Sequence, residues 1–252
     1  LKSVLDIVSK YKSKYFILGN GSNVILPIYY DGVCIKLNKL NNYTFDSGNI
    51  YAEAGCMLNV IASNVSNLGY TGLEWATHIP GTIGGSIYSN AGAYKGQISD
   101  VITSITILEN GNIKTINNSE ALFGYRTSIF RDDKNKIVLS CVMKVSKGNL
   151  EEIKSIIKER LDKRIKSQPL NYPSCGSVFR NPDDIAAGKL IDDLGLKGYN
   201  VGDLFISEKH ANFIINKGKG SKEDYDVLVK TIKDKVKKEY NLDLVLEQEV
   251  ID

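Results

Sequence analysis

The stretch His78–Tyr94, HIPGTIGGSIYSNAGAY, constrains this chain more than any other. Glycines stand at 81, 84, 85 and 92, and another follows at 96. Backbone free of side chains can lie flat against a ring system, where a Cβ would obstruct. A second segment, LGNGSNVIL, follows an apolar run that reads as a strand. There Gly19, Asn20, Gly21, Ser22 and Asn23 can turn several peptide N–H groups toward an anion such as a pyrophosphate. Either segment alone could be a tight turn. Two on one chain, both rich in Asn and Ser, point to a ligand. The common nucleotide motifs do not fit. Position 24 is Val, so Gly19-x-Gly21 lacks the third glycine of a dinucleotide fingerprint, and no GxxxxGK[ST] occurs.

The chain has 252 residues, room for one large domain or two ordinary ones. Its 42% hydrophobic and 24% charged residues give the balance of a soluble globular protein. A net charge of +3 is too small to argue by itself for nucleic acid, which needs a concentrated basic face and is not expected as a partner. No apolar run approaches the length of about eighteen that a membrane span needs. The N-terminal LKSVLDIVSKYKSK lacks the apolar core and cleavage site of a signal peptide. It begins at Leu with no Met, so the chain is either naturally short here or lacks an upstream segment. Cys34, Cys56, Cys141 and Cys175 form no CxxC pair and read as reduced cytoplasmic thiols. His78 and His210 are too far apart to predict a metal site.

Periodicity predicts a mixed chain. Leu1, Val4, Leu5 and Val8 share helical spacing, as do Leu58, Ile61, Ala62, Val65 and Leu68, closed by Gly69. KYFILG, GVCIKL, NIYAEAG, VITSITIL and NIKTI read as strands. KIVLSCVMKV alternates, with Ile137, Leu139, Cys141, Met143 and Val145 on one face. Leu150, Ile153, Ile157 and Leu161 mark a helix, and a break at KSQPLNYPS is the best domain boundary. AAGKLIDDLGLKG then reads as a helix and ANFIIN as a strand. Tyr225, Leu228, Ile232, Val236 and Tyr240 give a long helix with a solvated lysine face, and LDLVLEQEV a closing strand. The order lacks strict βαβ alternation, which favours an α+β fold.

LGNGSN, GLEWATHIPGTIGGSIYSNAGAY, YRTSIF, PSCGSVFRNP, AGKLIDDLGLKG, SEKHANFIIN and LEQEV occur in this order from about Tyr15 to Val250. Together they resemble the UDP-N-acetylenolpyruvoylglucosamine reductase family. The resemblance implies an FAD-binding region of two subdomains, like that of vanillyl-alcohol oxidase, over 1–165. It implies a smaller α+β substrate-binding domain over 166–243, and a C-terminal strand, 244–252, that carries Glu249 to the active site. It implies that Gly19, Asn20, Gly21, Ser22 and Asn23 cradle the FAD pyrophosphate. Ile79, Pro80, Gly81, Thr82, Gly84 and Gly85, with Asn90, Ala91 and Gly92, would line the flavin. The short span between Arg126 and Ser177 is similar to the family's second type, without the extra substrate-capping loop. The family's upstream segment, with a Thr and a Gly-Gly motif, is not in this sequence, and a Lys that relatives place before QPL is Ser167 here, beside Lys166.

The implied reaction uses NADPH as hydride donor and a UDP-sugar enolpyruvyl ether as substrate, in the cytoplasm, within peptidoglycan synthesis. Hydride addition at C3 of the ether puts negative charge on C2 and the carboxylate, which calls for a cation and a proton donor. Arg126, in GYRTSIF, matches the family's catalytic Arg, and its fork suits a carboxylate. Ser177, in CGSVF, matches the proton donor. Glu249, in LEQEV, matches the catalytic Glu, although alternation alone would set Glu247 and Glu249 together on a solvent face. Asn181 corresponds to a residue near the substrate diphosphate, and Tyr125 is a substrate-pocket candidate. Read from the residues alone, Arg126 could be a strand-end Arg and Ser177 a turn serine. Cys175 lacks an evident base and reads as packing. Two other readings stand beside the main one: a flavin enzyme of the same fold with another substrate, and a non-catalytic nucleotide-sugar-binding protein.

Overall fold

The computed structural model describes residues 1–182 and 185–252. The chain divides into two compact units, Leu1–Asn20 with Asp31–Leu161, and Gly21–Tyr30 with Asp162–Asp252. Helices and strands mix in both, the α+β arrangement expected. The first division falls inside GNGSN. The last falls inside the helix Leu150–Ser167, which also contains the expected boundary near 165.

The first unit is built on a five-stranded antiparallel sheet. Its order is Asn112–Asn117, Ile102–Glu109, Lys136–Lys144, Asn49–Glu53, Tyr43–Asp46. Asn49–Glu53 shows the period of two plainly, with Ile50 and Ala52 fully buried between exposed neighbours. Lys136–Lys144 does not keep the single apolar face expected of it. The ladder to Ile102–Glu109 skips Leu139, pairing Val138 with Ile107 and Ser140 with Thr106. This bulge buries Val138 and Ser140 beside Ile137 and Cys141, while Leu139 becomes half-buried. The Leu139 carbonyl accepts from Ala54 N at 2.8 Å.

The helix Leu58–Asn67 buries Leu58, Ile61, Ala62 and Val65, as its spacing predicts. Leu68 has left the stripe and is 56% exposed, because the helix ends there and Gly69 turns left-handed at φ +78°. A separate parallel pair, Tyr15–Leu18 with Val33–Lys36, runs side by side toward Gly19 and Leu37.

The second unit pairs Asn200–Val201, Leu204–Ile206 and Ile214–Asn216 in an antiparallel sheet. Its long helix, Lys222–Tyr240, buries Tyr225, Leu228, Val229, Ile232 and Val236. A capping box starts that helix: Ser221 Oγ accepts from Asp224 N at 3.1 Å, and the Asp224 carboxylate accepts from Ser221 N at 2.9 Å. The expected closing strand shrinks to Glu249–Val250, parallel to Val24–Ile25, with Leu246 bridging Phe179. Neither Glu247 nor Glu249 lies on an open solvent face; both are half-buried. Segments on both sides explain this, since Glu247 N donates to Val178 O and Glu249 N to Asn23 O.

Candidate active site

In the first unit the two glycine-rich segments meet. A Cβ on Gly19 would stand 2.5 Å from Thr82 Oγ1, so no side chain fits between them. Asn20 Nδ2 donates to Pro80 O at 2.8 Å. Thr82 caps the short helix Ile83–Tyr88 by accepting from Gly85 N. The backbone beyond it lies along the turn after Asn49–Glu53, with Ile83 N on Cys56 O and Gly84 N on Ala54 O, both at 2.8 Å. Gly84 permits that close approach: a Cβ there would sit 3.1 Å from Ala54 Cβ, and the neighbour would have to give by a few tenths of an ångström.

A cleft of about 340 Å³ opens here, lined by Gly19, Asn20, Lys36, Asn38, Met57 and Thr82 among others. It lies where the parallel strands Tyr15–Leu18 and Val33–Lys36 end, the end of a parallel pair at which ligands bind. Close-packed glycine backbone, amide side chains and one lysine fit an elongated anionic group such as FAD. The sequence reading missed Lys36 and Asn38. The readable signal was that GVCIKL, as the parallel neighbour of KYFILG, must end beside it.

The Asn90–Gly92 segment is fixed by Asn90, which is 1% exposed and left-handed at φ +43°. Its Nδ2 donates to Gln97 Oε1 and Gly124 O, and its Oδ1 accepts from Ser99 N. Gly124 opens a tight turn to Thr127, with each N–H donating to the other's carbonyl. Arg126 lies in that turn at φ +55°, a conformation that costs an L-residue energy and that recurs at functional sites. Its Nη2 donates to Gly92 O at 2.7 Å, and Arg131 Nη1 donates to Arg126 O. The guanidinium carbon lies 5.4 Å from the Tyr125 ring centre, and Tyr125 is 55% exposed. The structure thus joins Arg126 to the Asn90–Gly92 segment.

In the second unit Gly21 is left-handed at φ +74°, and Asn23 Nδ2 donates to Glu247 O. Ser177 bridges Phe213, and the chain after it is held on two sides. Val178 N donates to Asn212 O and Arg180 N to Val245 O, both at 2.9 Å. Asn212 also accepts from Phe179 N and donates to Phe179 O. The Asn23, Ser177 and Glu249 segments therefore form one backbone-paired assembly. Glu249 pairs with Val24, and its Oε1 is shielded from solvent. Asn181 Oδ1 accepts from Ala187 N at 3.0 Å, so its side chain also takes up the first N–H of the helix Ala187–Asp193. Cys175 Sγ donates to Val24 O at 3.4 Å, and burial raises its thiol pKa, the opposite of an activated nucleophile.

Among the described residues, no group of His, Cys, Asp and Glu side chains could hold a metal ion, and no helix is long and apolar enough to cross a membrane.

Residues 1–117 match a family model described as an FAD binding domain. Residues 168–251 match the model for the UDP-N-acetylenolpyruvoylglucosamine reductase C-terminal domain. A reductase of that name from Clostridium novyi is 40% identical, covering 100% of this chain and 82% of the relative. The one from Caldanaerobacter subterraneus is 41% identical, covering 100% of this chain and 83% of its own length. The crystal structure of UDP-N-acetylenolpyruvylglucosamine reductase from Thermus caldophilus superposes with a TM-score of 0.84 at 32% identity, covering 100% of this chain and 90% of that one. The chain therefore belongs to the UDP-N-acetylenolpyruvoylglucosamine reductase family, the FAD-containing oxidoreductases that its glycine segments and C-terminal motifs resemble.

Proposed function

We propose that this chain reduces the enolpyruvyl ether of UDP-N-acetylglucosamine enolpyruvate to UDP-N-acetylmuramate, with NADPH as reductant, in peptidoglycan precursor synthesis. Bound FAD supplies the hydride relay between NADPH and the enolpyruvyl ether. Gly19, Asn20, Gly21, Ser22 and Asn23 hold its pyrophosphate, and Ile79–Gly85 with Asn90–Gly92 carry its ring. Residues 1–165 form the FAD-binding region, 166–243 the substrate-binding region, and 244–252 the strand that bears Glu249. NADPH and UDP-sugars are cytoplasmic metabolites, so the activity belongs in the cytoplasm.

Each catalytic role follows from charge. Hydride arriving at C3 leaves negative charge on C2, shared with the substrate carboxylate. Arg126 pairs its guanidinium with that carboxylate and stabilises the charge as it grows. Ser177 Oγ gives its proton to C2. A hydroxyl is a weak acid in water, but the acceptor is strongly basic and the donor is held in place. Glu249 orients the substrate carboxylate or gives a proton. Asn181 Nδ2 and Tyr125 contact the substrate.

The observation that supports this reading is the pairing of the Ser177 and Glu249 segments with each other and with Asn23, through Glu247 N to Val178 O and Glu249 N to Asn23 O. Holoenzyme reduced by NADPH without oxygen, then mixed with UDP-N-acetylglucosamine enolpyruvate, should regain its yellow flavin absorbance and release UDP-N-acetylmuramate. Reoxidation by oxygen alone, indifferent to the UDP substrate, would refute the proposal.

A further inference from the structure

Gln248 stands beside Glu249 and is 3% exposed. Its Oε1 accepts from the Tyr225 hydroxyl at 2.7 Å. Its Nε2 donates to Cys175 O at 3.0 Å and to Gly176 O at 3.2 Å. Both amide protons are therefore used on the two residues that precede Ser177. A flipped carboxamide would face its oxygen to two carbonyl oxygens, so only one orientation satisfies the site. Tyr225, itself 3% exposed, has its phenol pushed up by burial and stays a hydroxyl donor.

Besides Gln248, the turn is held by Cys175 Sγ on Val24 O and by the pairing of Ser177 with Phe213. Gly176 is left-handed at φ +74°, and a Cβ placed there would meet nothing within 4 Å. At Gly176 there is no side chain to pack, and the Cys175 and Gly176 carbonyls are both taken by Gln248. On the main chain either side of Gln248, Glu247 N donates to Val178 O and Glu249 N to Asn23 O. One residue thus joins the turn before Ser177, the strand of Glu249 and the long helix that bears Tyr225.

We infer that Gln248, buttressed by Tyr225, is a positioning residue for proton delivery, setting Ser177 through its carboxamide and Glu249 through its main chain. The inference rests on the roles proposed above for Ser177 and Glu249. An apolar side chain at 248 would leave two part-buried carbonyls and a buried phenol without this partner, and the turn would shift to find others.

The test uses anaerobic stopped-flow on FAD-loaded holoenzyme, following the two half-reactions separately. In Gln248→Leu, flavin reduction by NADPH should stay near the parent rate. Reoxidation by UDP-N-acetylglucosamine enolpyruvate should slow by about ten- to a hundredfold, the cost of a misplaced reacting group. Half-saturation of that phase should hardly move, and its solvent deuterium isotope effect should rise as proton delivery becomes limiting. Tyr225→Phe removes one hydroxyl and should give a smaller slowing, about threefold, with the same rise in isotope effect. Equal slowing of both half-reactions, or an unchanged isotope effect, overturns the inference. If Gln248→Leu does not hold FAD, Tyr225→Phe decides: unchanged reoxidation overturns it. Ser177→Ala separates the two levels. If that variant reoxidises normally, the proposed function fails. If it is slow while Gln248→Leu and Tyr225→Phe are normal, the positioning role alone falls.

Discussion

Gly19→Ala should cost FAD affinity through one identifiable contact. Gly19 has no left-handed φ, so alanine fits its backbone. The added Cβ would stand 2.5 Å from Thr82 Oγ1, and real contacts of this kind stop near 3.0 Å, so the two segments must part by at least 0.5 Å. Thr82 cannot easily yield. It is 6% exposed, and its Oγ1 is engaged by Gly85 N. The neighbouring bond from Asn20 Nδ2 to Pro80 O crosses the same seam and would stretch. Overpacking of this kind costs about 1–3 kcal/mol. If the strain appears in the loaded state, FAD binds about five- to a hundredfold more weakly. Titration of apoprotein with FAD, followed by flavin fluorescence, measures the loss, and thermal melts of the apoprotein show how much falls on the fold instead. Thr82→Ala removes the obstructing oxygen and, with it, a cap worth about 1 kcal/mol. The double variant should then lose less than the sum of the singles. Strict additivity, or a Gly19→Ala protein with parental affinity and melting temperature, would refute the wedge.

Ser177→Ala should leave NADPH-driven flavin reduction intact and slow substrate-driven reoxidation severely, whereas Cys175→Ala, which keeps the backbone and loses one weak thiol bond, should turn over near the parent rate; steady-state assays with stopped-flow decide both. Arg126→Gly should remain within about 1 kcal/mol of the parent in denaturant melts, because relief of the left-handed backbone offsets the lost bond to Gly92. The same variant should lose about a hundredfold in substrate-driven reoxidation. His210 is held neutral mainly by burial, with Lys197 adding repulsion, and its Nδ1 accepts from Asn212 N. Its folded pKa is lowered, so the unfolded chain takes up the proton first. Stability should therefore fall as pH drops below the unfolded histidine value of about 6.5, and His210→Asn should flatten that slope in melts between pH 7 and pH 5.

Features set by neighbours in sequence were legible. The stripe Leu58–Val65 with Gly69 after it, and Ser221 three residues before Asp224, are local patterns with local causes. The glycine segments were readable as places of close backbone approach because a missing Cβ is visible in any sequence, as Gly19 against Thr82 shows. Features set by distant partners were not. Leu139 looks like any alternating core residue until its partner strand fails to match it. Alternation puts Gln248 with Leu246 and Val250, yet it cannot say that the buried face holds a phenol and two carbonyls that require an amide. Glu249 and Glu247 have equal claims on the same face, and only the family motif chose between them. Asn181 could be named as a polar site residue, but spacing does not reveal that its side chain accepts from Ala187 N.

The pairing of Val24–Ile25 with Glu249–Val250 has a consequence for biosynthesis. Val24–Ile25 leave the ribosome long before their strand partner, Glu249–Val250. Contacts so far apart along the chain are slow to close, because a long loop must be ordered before they contribute. The sheet of the first unit has no such debt, since all its strands lie before residue 145. A growing chain can therefore complete that sheet while Gly21–Tyr30 waits as an open edge. Until Glu249 arrives, that edge is available to another chain. Any stop codon or protease cut ahead of residue 246 would leave the edge permanently exposed, so loss of the Glu249–Val250 strand should be read out first as aggregation.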